Sequence, residues 1–383
     1  MKKGGKLEGW KVEKLGDVIQ LEYGKPLPPS KRSEKGKYPV YGANGEIARS
    51  NEYYYDKPTM IVGRKGSAGE INLTEKKFWA LDVTYFVTFD DKKYDLQFLY
   101  YLLSKLELTK LAKGVKPGIN RNDVYSIEVA IPPLPEQQRI VHVLDEAFAS
   151  IAQAKSNAER NLVNARELFE AIQRELFDGI GNKKSEVKML GDIATFRNGI
   201  NFTKASKGET VNIVGVKDFQ NYFWVPLDNL DSVTIDGKLN ETDYLRKGDI
   251  LAVRSNGNQQ LIGRSILAGD VTEKTTHSGF TIRIRFETKD VFPEYLCHYL
   301  KSEKARKQLI SGGAGISIKS LNQTTLSELP ISLPPLAEQR AIVGRLEALS
   351  AETGRLEEIY QSKVEGLEEL KRSVLGKAFG GEL

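Results

Sequence analysis

IPPLPEQQRIVHVLDE, from Ile131 to Glu146, is written almost a second time as LPPLAEQRAIVGRLE, from Leu333 to Glu347. Pro132 corresponds to Pro334, and Glu136-Gln137 to Glu338-Gln339, at one offset of 202 residues. Each copy opens a helical pattern. Pro135 suits a first turn, whose N–H groups lack partners in any helix. Glu136 suits the positive end of the helix dipole.

Beyond this entry the apolar positions step by four and three: Ile140, Leu144, Ala147, Ile151, Ala154, Ala158, Asn161, Ala165, Leu168 and Ile172. The second copy keeps the phase with Ile342, Leu346, Leu349, Thr353, Leu356, Tyr360, Lys363, Leu367, Leu370 and Val374. This is a heptad seam over about five heptads. Helices of roughly 40 residues at about 1.5 Å per residue reach on the order of 60 Å. Asn161 and Lys363 share a seam position; they either fix the pairing register or lie where the seam is solvated. Gly344, Gly354 and Gly366 weaken the second helix, so packing must sustain it. Two such helices are expected to pair as an antiparallel coiled coil, a pseudo-two-fold ruler holding one head at each end.

The repeat reaches further back. Leu15-Gly16-Asp17-Val18 is echoed by Leu190-Gly191-Asp192-Ile193, and Gly24 by Gly199, at an offset of 175. Ile119-Asn120 is echoed by Leu321-Asn322 at 202, so the second copy has gained 27 residues in its middle. A period this long is a duplicated domain, not a solenoid. Met60 to Val62, Val83 to Phe89, Asp249 to Val253 and Thr281 to Phe286 read as strands. Gln97 to Leu111 and Glu294 to Ile310 read as helices. The expected class is α+β, with mixed α/β heads at 1–134 and 181–336 and helical spacers at 135–180 and 337–383.

The net charge of +5 divides unevenly: +6 in residues 1–134, −3 in 135–180, +4 in 181–336 and −2 in 337–383. A polyanion would meet the two heads first, although such values are also common in domains of this size. No apolar run reaches membrane-spanning length. MKKGGKLEGW has no apolar stretch behind its basic residues, so it does not read as a secretory signal. Cys297 is the single cysteine, which excludes an internal disulfide. The expected address is the cytoplasm.

Catalytic motifs are missing. The sequence holds no phosphate-binding P-loop and no Asn/Asp-Pro-Pro-aromatic tetrapeptide of amino-methyltransferases. His142 falls on the surface of the first long helix, and His277 and His298 lack ligands at metal spacing. The heads offer polar, glycine-punctuated loops instead. Lys25 to Tyr38 is a basic loop containing Lys31 and Arg32. PVYGANG (39–45) carries Asn44. VGRKGSAGE (62–70) holds Arg64 and Lys65, and KGVKPGINR (113–121) holds Lys116 and Arg121. Glycine lets backbone approach a phosphate. In the second head, VRSNGNQQLIGR (253–264) carries Arg254, Asn256, Asn258, Gln259, Gln260 and Arg264. Arginine pairs with guanine, and asparagine and glutamine with adenine; the same stretch also reads as a solvated hairpin. Lys204 and Lys217 complete the basic candidates.

Taken together, the doubled Pro-Leu-x-Glu-Gln helix entry, the ending VLGKAFGGEL (374–383) and the segments PVYGANGEI, IVGRKGSAGEI and LRKGDILAVRSNGN resemble the specificity subunit of Type I restriction–modification enzymes. The likeness spans the whole chain. It implies two target-recognition domains, each reading half of a split, asymmetric site in double-stranded DNA. It implies two modification subunits that carry S-adenosylmethionine and methylate adenine. Restriction subunits that use ATP and Mg would join them. This chain would itself bind no cofactor and catalyse nothing. The heads differ in sequence, so contact residues do not carry over from one to the other by motif. Two rivals are a self-contained DNA-modifying enzyme and a coiled-coil scaffold for proteins. Activity of the purified chain alone would favour the first. Absence of salt-dependent DNA binding would favour the second.

Overall fold

The computed structural model describes residues 9–179, 185–220, 222–311 and 320–383. Most of the basic N-terminal stretch read above, residues 1–8, lies outside these. The chain divides into two compact units. One holds the residues up to Glu159 together with Gln361–Leu383; the other is Arg160–Tyr360.

The first unit runs β1 (Lys11–Lys14), α1 (Leu15–Val18), β2 (Gln20–Tyr23), β3 (Tyr38–Gly42), β4 (Gly45–Ser50), β5 (Thr59–Gly63), β6 (Ile71–Thr74), β7 (Trp79–Ala80), β8 (Thr84–Thr88), α2 (Leu96–Lys105), α3 (Arg121–Tyr125) and β9 (Glu128–Ile131), and then enters α4 (Leu134–Gly179). Its sheets are ordered β2-β8-β5-β6, β4-β3-β7 and β1-β9. Strand β5 is buried along its whole length, as its apolar run requires. Asp95 caps α2 by accepting from the Phe98 N–H at 2.9 Å.

The second unit repeats this plan. It runs β10 (Glu186–Met189), α5 (Leu190–Ile193), β11 (Ala194–Asn198), β12 (Thr210–Val214), β13 (Asp231–Thr234), β14 (Ile250–Val253), β15 (Ser265–Leu267), β16 (Thr275–His277), β17 (Thr281–Phe286), α6 (Pro293–Lys301), α7 (Glu303–Ser311), α8 (Gln323–Ser327) and β18 (Pro330–Leu333), before α9 (Leu336–Ala378). Its sheets are β11-β17-β14-β15, β13-β12-β16 and β10-β18. Order and strand direction match the first unit throughout. The middles that diverge in sequence therefore share one topology.

The duplicated entry motif owes its glutamine to a three-bond clamp. Gln137 Oε1 accepts from the Asp95 N–H at 2.9 Å, while its Nε2 donates to the carbonyls of Lys93 and Pro132 at 3.0 and 2.9 Å. Gln339 repeats every bond: it accepts from the Phe292 N–H at 2.8 Å and donates to Asp290 and Pro334 at 2.8 and 2.9 Å. Both side chains are buried, so only an amide, donor and acceptor at once, satisfies the site. The motif joins each long helix to the short helix of its own head.

Both long helices are unbroken, glycines included. In the first unit Arg139 donates to the Leu383 carbonyl at 3.1 Å, and Lys155 pairs with Glu368. In the second, Arg166 pairs with Glu357 at 2.9 Å. Rising numbers on α4 meet falling numbers on α9, which makes the pairing antiparallel. The helix tails dock crosswise with respect to the repeat. Phe379, ending the second copy, packs on Phe98 of the first head at 5.2 Å. Phe177, its counterpart 202 residues earlier, packs on Tyr295 and Tyr299 of the second head at 5.7 and 5.5 Å.

Three expectations need correction. The segment 97–111 is not one helix: α2 ends at Lys105 and Glu107 takes φ +48°. The turn buries Leu108 against Gly69, where an added Cβ would lie 2.4 Å from the Thr109 nitrogen. The segment 294–310 breaks at Ser302, which is extended (ψ 152°). The seam also drifts. Ala154, Leu168, Leu356 and Leu370 are exposed, and past Ala165 the inward line of α4 runs through Phe169, Gln173 and Phe177. Steps of four bring that tail round onto α6, where a strict heptad would carry it past. Asn161 is half-buried and Lys363 exposed.

Candidate nucleic-acid interface

Two basic loops that lie apart in sequence meet in the first unit. The Gly66 N–H donates to the Pro117 carbonyl at 2.9 Å, and the Ile119 N–H to the Arg64 carbonyl at 3.0 Å. This gathers Arg64, Lys65, Lys116 and Arg121. The guanidinium groups of Arg64 and Arg121 both lie over the Tyr23 ring, at 5.1 and 5.2 Å from its centroid. Arg64 Nη1 also donates to the Asp82 carbonyl at 2.9 Å. Burial raises the neighbouring Tyr85 hydroxyl above its usual pKa, and the two arginines pull it partly back. Two cations held over one ring are oriented before any ligand arrives. Lys65 and Lys116 are exposed.

The remaining candidates of this head sit in other settings. Lys25 lies over the Tyr54 ring at 4.4 Å and Lys31 pairs with Glu52 at 2.8 Å. Arg32 spends its guanidinium on the Leu27 carbonyl, at 3.0 and 2.7 Å. Tyr38 packs edge-on against Tyr53 at 5.1 Å, with Lys37 and Lys77 over those rings. Asn44 is exposed in the β3–β4 turn, beside Gly45 at φ +106°.

In the second unit the loop 253–264 is a compact turn rather than a simple hairpin. Asn256 Oδ1 accepts from the Asn258 N–H at 2.8 Å, and Asn258 Oδ1 from the Gln260 N–H at 3.0 Å. These amides shape the loop itself. Arg264 donates to the Gln220 carbonyl at 2.9 Å, and Arg306 to that of Gln260 at 2.8 Å. Gln259 opens the 3-10 turn Gln259–Leu261. Lys217 pairs with Asp231 at 2.6 Å, and Lys204 is exposed.

Arg254 occupies the place of Arg64. The Arg64 N–H donates to the Val83 carbonyl at 2.9 Å, and that of Arg254 to Phe280 at 2.8 Å. The Arg64 carbonyl accepts from Ile119 N–H, and that of Arg254 from Leu321 N–H at 2.7 Å. Arg254 Nη1 points at the Gly279 carbonyl, 3.4 Å away, as Arg64 does at Asp82. The floor is equivalent too. A Cβ on Gly24 would lie 2.0 Å from the Leu81 oxygen, and one on Gly199 2.2 Å from the Ser278 oxygen. At the positions that match Tyr23 and Arg121, the second head carries Asn198 and Gln323. The sequence reading missed Tyr23, Asn198 and Gln323. Their signal was there, since Tyr23 and Asn198 precede the repeated glycines, and Arg121 and Gln323 follow the repeated asparagines that cap α3 and α8.

The histidines are structural or solvated. His277 bonds Thr281 Oγ1 at 2.9 Å, and burial holds its pKa down at about 3. His298 is also buried and held at about 4, and His142 is exposed. Among the described residues no cluster of metal-ligating side chains occurs, and no helix is long and apolar enough to cross a membrane.

The pattern of the family described as Type I restriction modification DNA specificity domain matches residues 7–160 and 182–365. The chain is 24% identical over 407 residues to the Type I restriction enzyme EcoDI specificity subunit of Escherichia coli, covering 98% of this chain and 88% of that one. It is 29% identical over 291 residues to the StySPI specificity subunit of Salmonella potsdam, covering 70% and 62%. Among solved structures, a chain from work on complex assembly and conformational transition of the type I R-M system superposes with a TM-score of 0.74 at 18% identity, covering 98% of both chains. The HsdS subunit from Thermoanaerobacter tengcongensis gives 0.62 at 17%, covering 98% of this chain and 97% of that one. With one match over each copy of the repeat, the chain belongs to the family of Type I restriction–modification DNA specificity subunits.

Proposed function

We propose that this chain reads a bipartite, asymmetric site in double-stranded DNA, one half per head, and positions two modification subunits for adenine methylation. The chain itself supplies recognition and no catalysis. S-adenosylmethionine belongs to the modification subunits, and ATP and Mg to restriction subunits that join the complex. One observation carries the reading: two heads of one topology hold an equivalent arginine in different polar surroundings. A shared frame with altered side chains is what reading two different half-sites requires.

The test is to replace residues 181–336 with the second head of another family member, co-express the chimaera with the modification subunits, and map methylated adenines genome-wide. Only one half of the methylated sequence should change. A change in both halves, or in neither, rejects the reading. Methylation by the purified chain alone would favour a self-contained enzyme.

A further inference from the structure

Resting on the function proposed above, we infer that Arg64 and Arg254 make one and the same contact, to the DNA phosphate backbone, and that the residues beside them choose the bases: Tyr23 and Arg121 in the first head, Asn198 and Gln323 in the second.

The two heads keep one topology. Their middles differ in length and share few residues, and the loop after the arginine runs Arg64–Gly69 in one head and Arg254–Gly263 in the other. The arginine stands at the last common position before that divergence. Its backbone N–H, its carbonyl and its guanidinium find equivalent partners in both heads. The backbone bonds call for no particular side chain, yet both heads keep a half-buried arginine at this position. A residue retained by two heads that read different bases suits the feature every duplex presents, its phosphates.

The neighbours behave in the opposite way. Asn198 pairs with Ile282 across the sheet where Tyr23 pairs with Tyr85. Gln323 opens its short helix after the Asn322 cap, as Arg121 does after Asn120. The places are the same and the chemistry is not. The first head offers a guanidinium and a phenol ring; the second offers two amides. A guanidinium matches the acceptors of guanine, and an amide matches the donor–acceptor edge of adenine.

The experiment uses the full chain assembled with its modification subunits. Arg64→Ala, Arg254→Ala, Arg64→Lys and Arg254→Lys are titrated at several salt concentrations against the methylated site and against unrelated DNA. Each alanine variant should lose about tenfold in affinity on both DNAs. Its log–log salt slope should fall by about one, and the methylated sequence should stay unchanged. The lysine variants, which keep the charge, should recover the slope. Asn198→Ala and Gln323→Ala should leave the salt slope alone and relax positions in one half-site only. An arginine variant that relaxes one base position while keeping its slope overturns the phosphate assignment. An unaltered methylated sequence in both amide variants overturns the assignment of the neighbours. If the unsubstituted assembly shows no preference for any site, the function proposed above falls, and this inference with it.

Discussion

The first unit fills the space between its short helix and the long pair with aromatic rings, whereas the second, among the described residues, leaves it open. In the first, Tyr101 of α2 packs edge-on against Phe148 of α4 at 5.3 Å, and its hydroxyl bonds Asp145. Burial, then that bond, pushes the Tyr101 pKa up to about 12. In the second unit the corresponding places hold His298 of α6 and Ser350 of α9. What remains is a groove of about 1200 Å³, lined among others by Phe169, Phe177, Trp224 and His298. His298 stacks on Phe223 at 4.3 Å, and its buried Nε2 has no hydrogen-bond partner among the described residues. One frame thus tolerates a filled and an unfilled interior. The clamps and helix tails are common to both units and contribute to the stability they share.

That comparison can be broken at several strengths. The largest effect is expected at the tails. Phe379→Ala and Phe177→Ala each open an aromatic cavity costing about 3–5 kcal/mol. Phe177, which meets two tyrosines beside the open groove, should stand at the upper end. Hydrogen exchange on the full chain should show loosening only in the unit that holds the substituted residue; equal loosening in both would end the description of two separately cored units.

Next come the clamps. Gln137→Ala or Gln339→Ala strands one buried N–H and two carbonyls, a loss of about 2–4 kcal/mol by denaturant unfolding. The two costs should agree closely, because the geometries do. Gln→Glu should fail to rescue either, since a carboxylate cannot donate to the two carbonyls.

Acid should separate the units. His277 and His298 have folded pKa values of about 3 and about 4, below the ordinary 6.5. Between those values and 6.5 the unfolded chain binds more protons, so stability is whole above pH 6.5 and falls as pH drops. At pH 5 each histidine costs about 2 kcal/mol. The described part of the first unit has only the exposed His142 and should lack this loss. Exchange rates compared at pH 7 and pH 5 check it; an equal acid response in both units would break the contrast.

The smallest effects belong to the exposed ion pairs between the helices. Lys155→Ala in one unit and Arg166→Ala in the other should leave the melting temperature unchanged within error, because solvent and salt screen such pairs. A clear drop for either would move helix pairing from apolar packing to charge.

Much of this architecture was legible in the residues themselves. Local chemistry specifies the helix entries at Pro135 and Ala337, the strands Thr59–Gly63 and Thr281–Phe286, and the length of both long helices. A cap, a β-run or a heptad is recognised within one or two turns of chain. The repeat offsets of 175 and 202 revealed the duplication, and the basic loops of the first head were singled out, though not their meeting. The seam was legible in part, with Ala158, Ala165 and Thr353 buried as it requires, and was lost in the tails, because a heptad count does not say which neighbour a tail will face.

The folded chain supplied the rest. It docked Phe379 on the first head and Phe177 on the second, turned Gln137 and Gln339 into clamps, and broke the helices at Glu107 and Ser302. It set Arg254 in the place of Arg64 and matched Asn198 to Tyr23 and Gln323 to Arg121, although no motif aligns the two loops. The reason is separation along the chain. A propensity or a cap is decided by groups a few residues away, whereas Arg64 meets Ile119, and Phe379 meets Phe98, only after the whole intervening chain has folded.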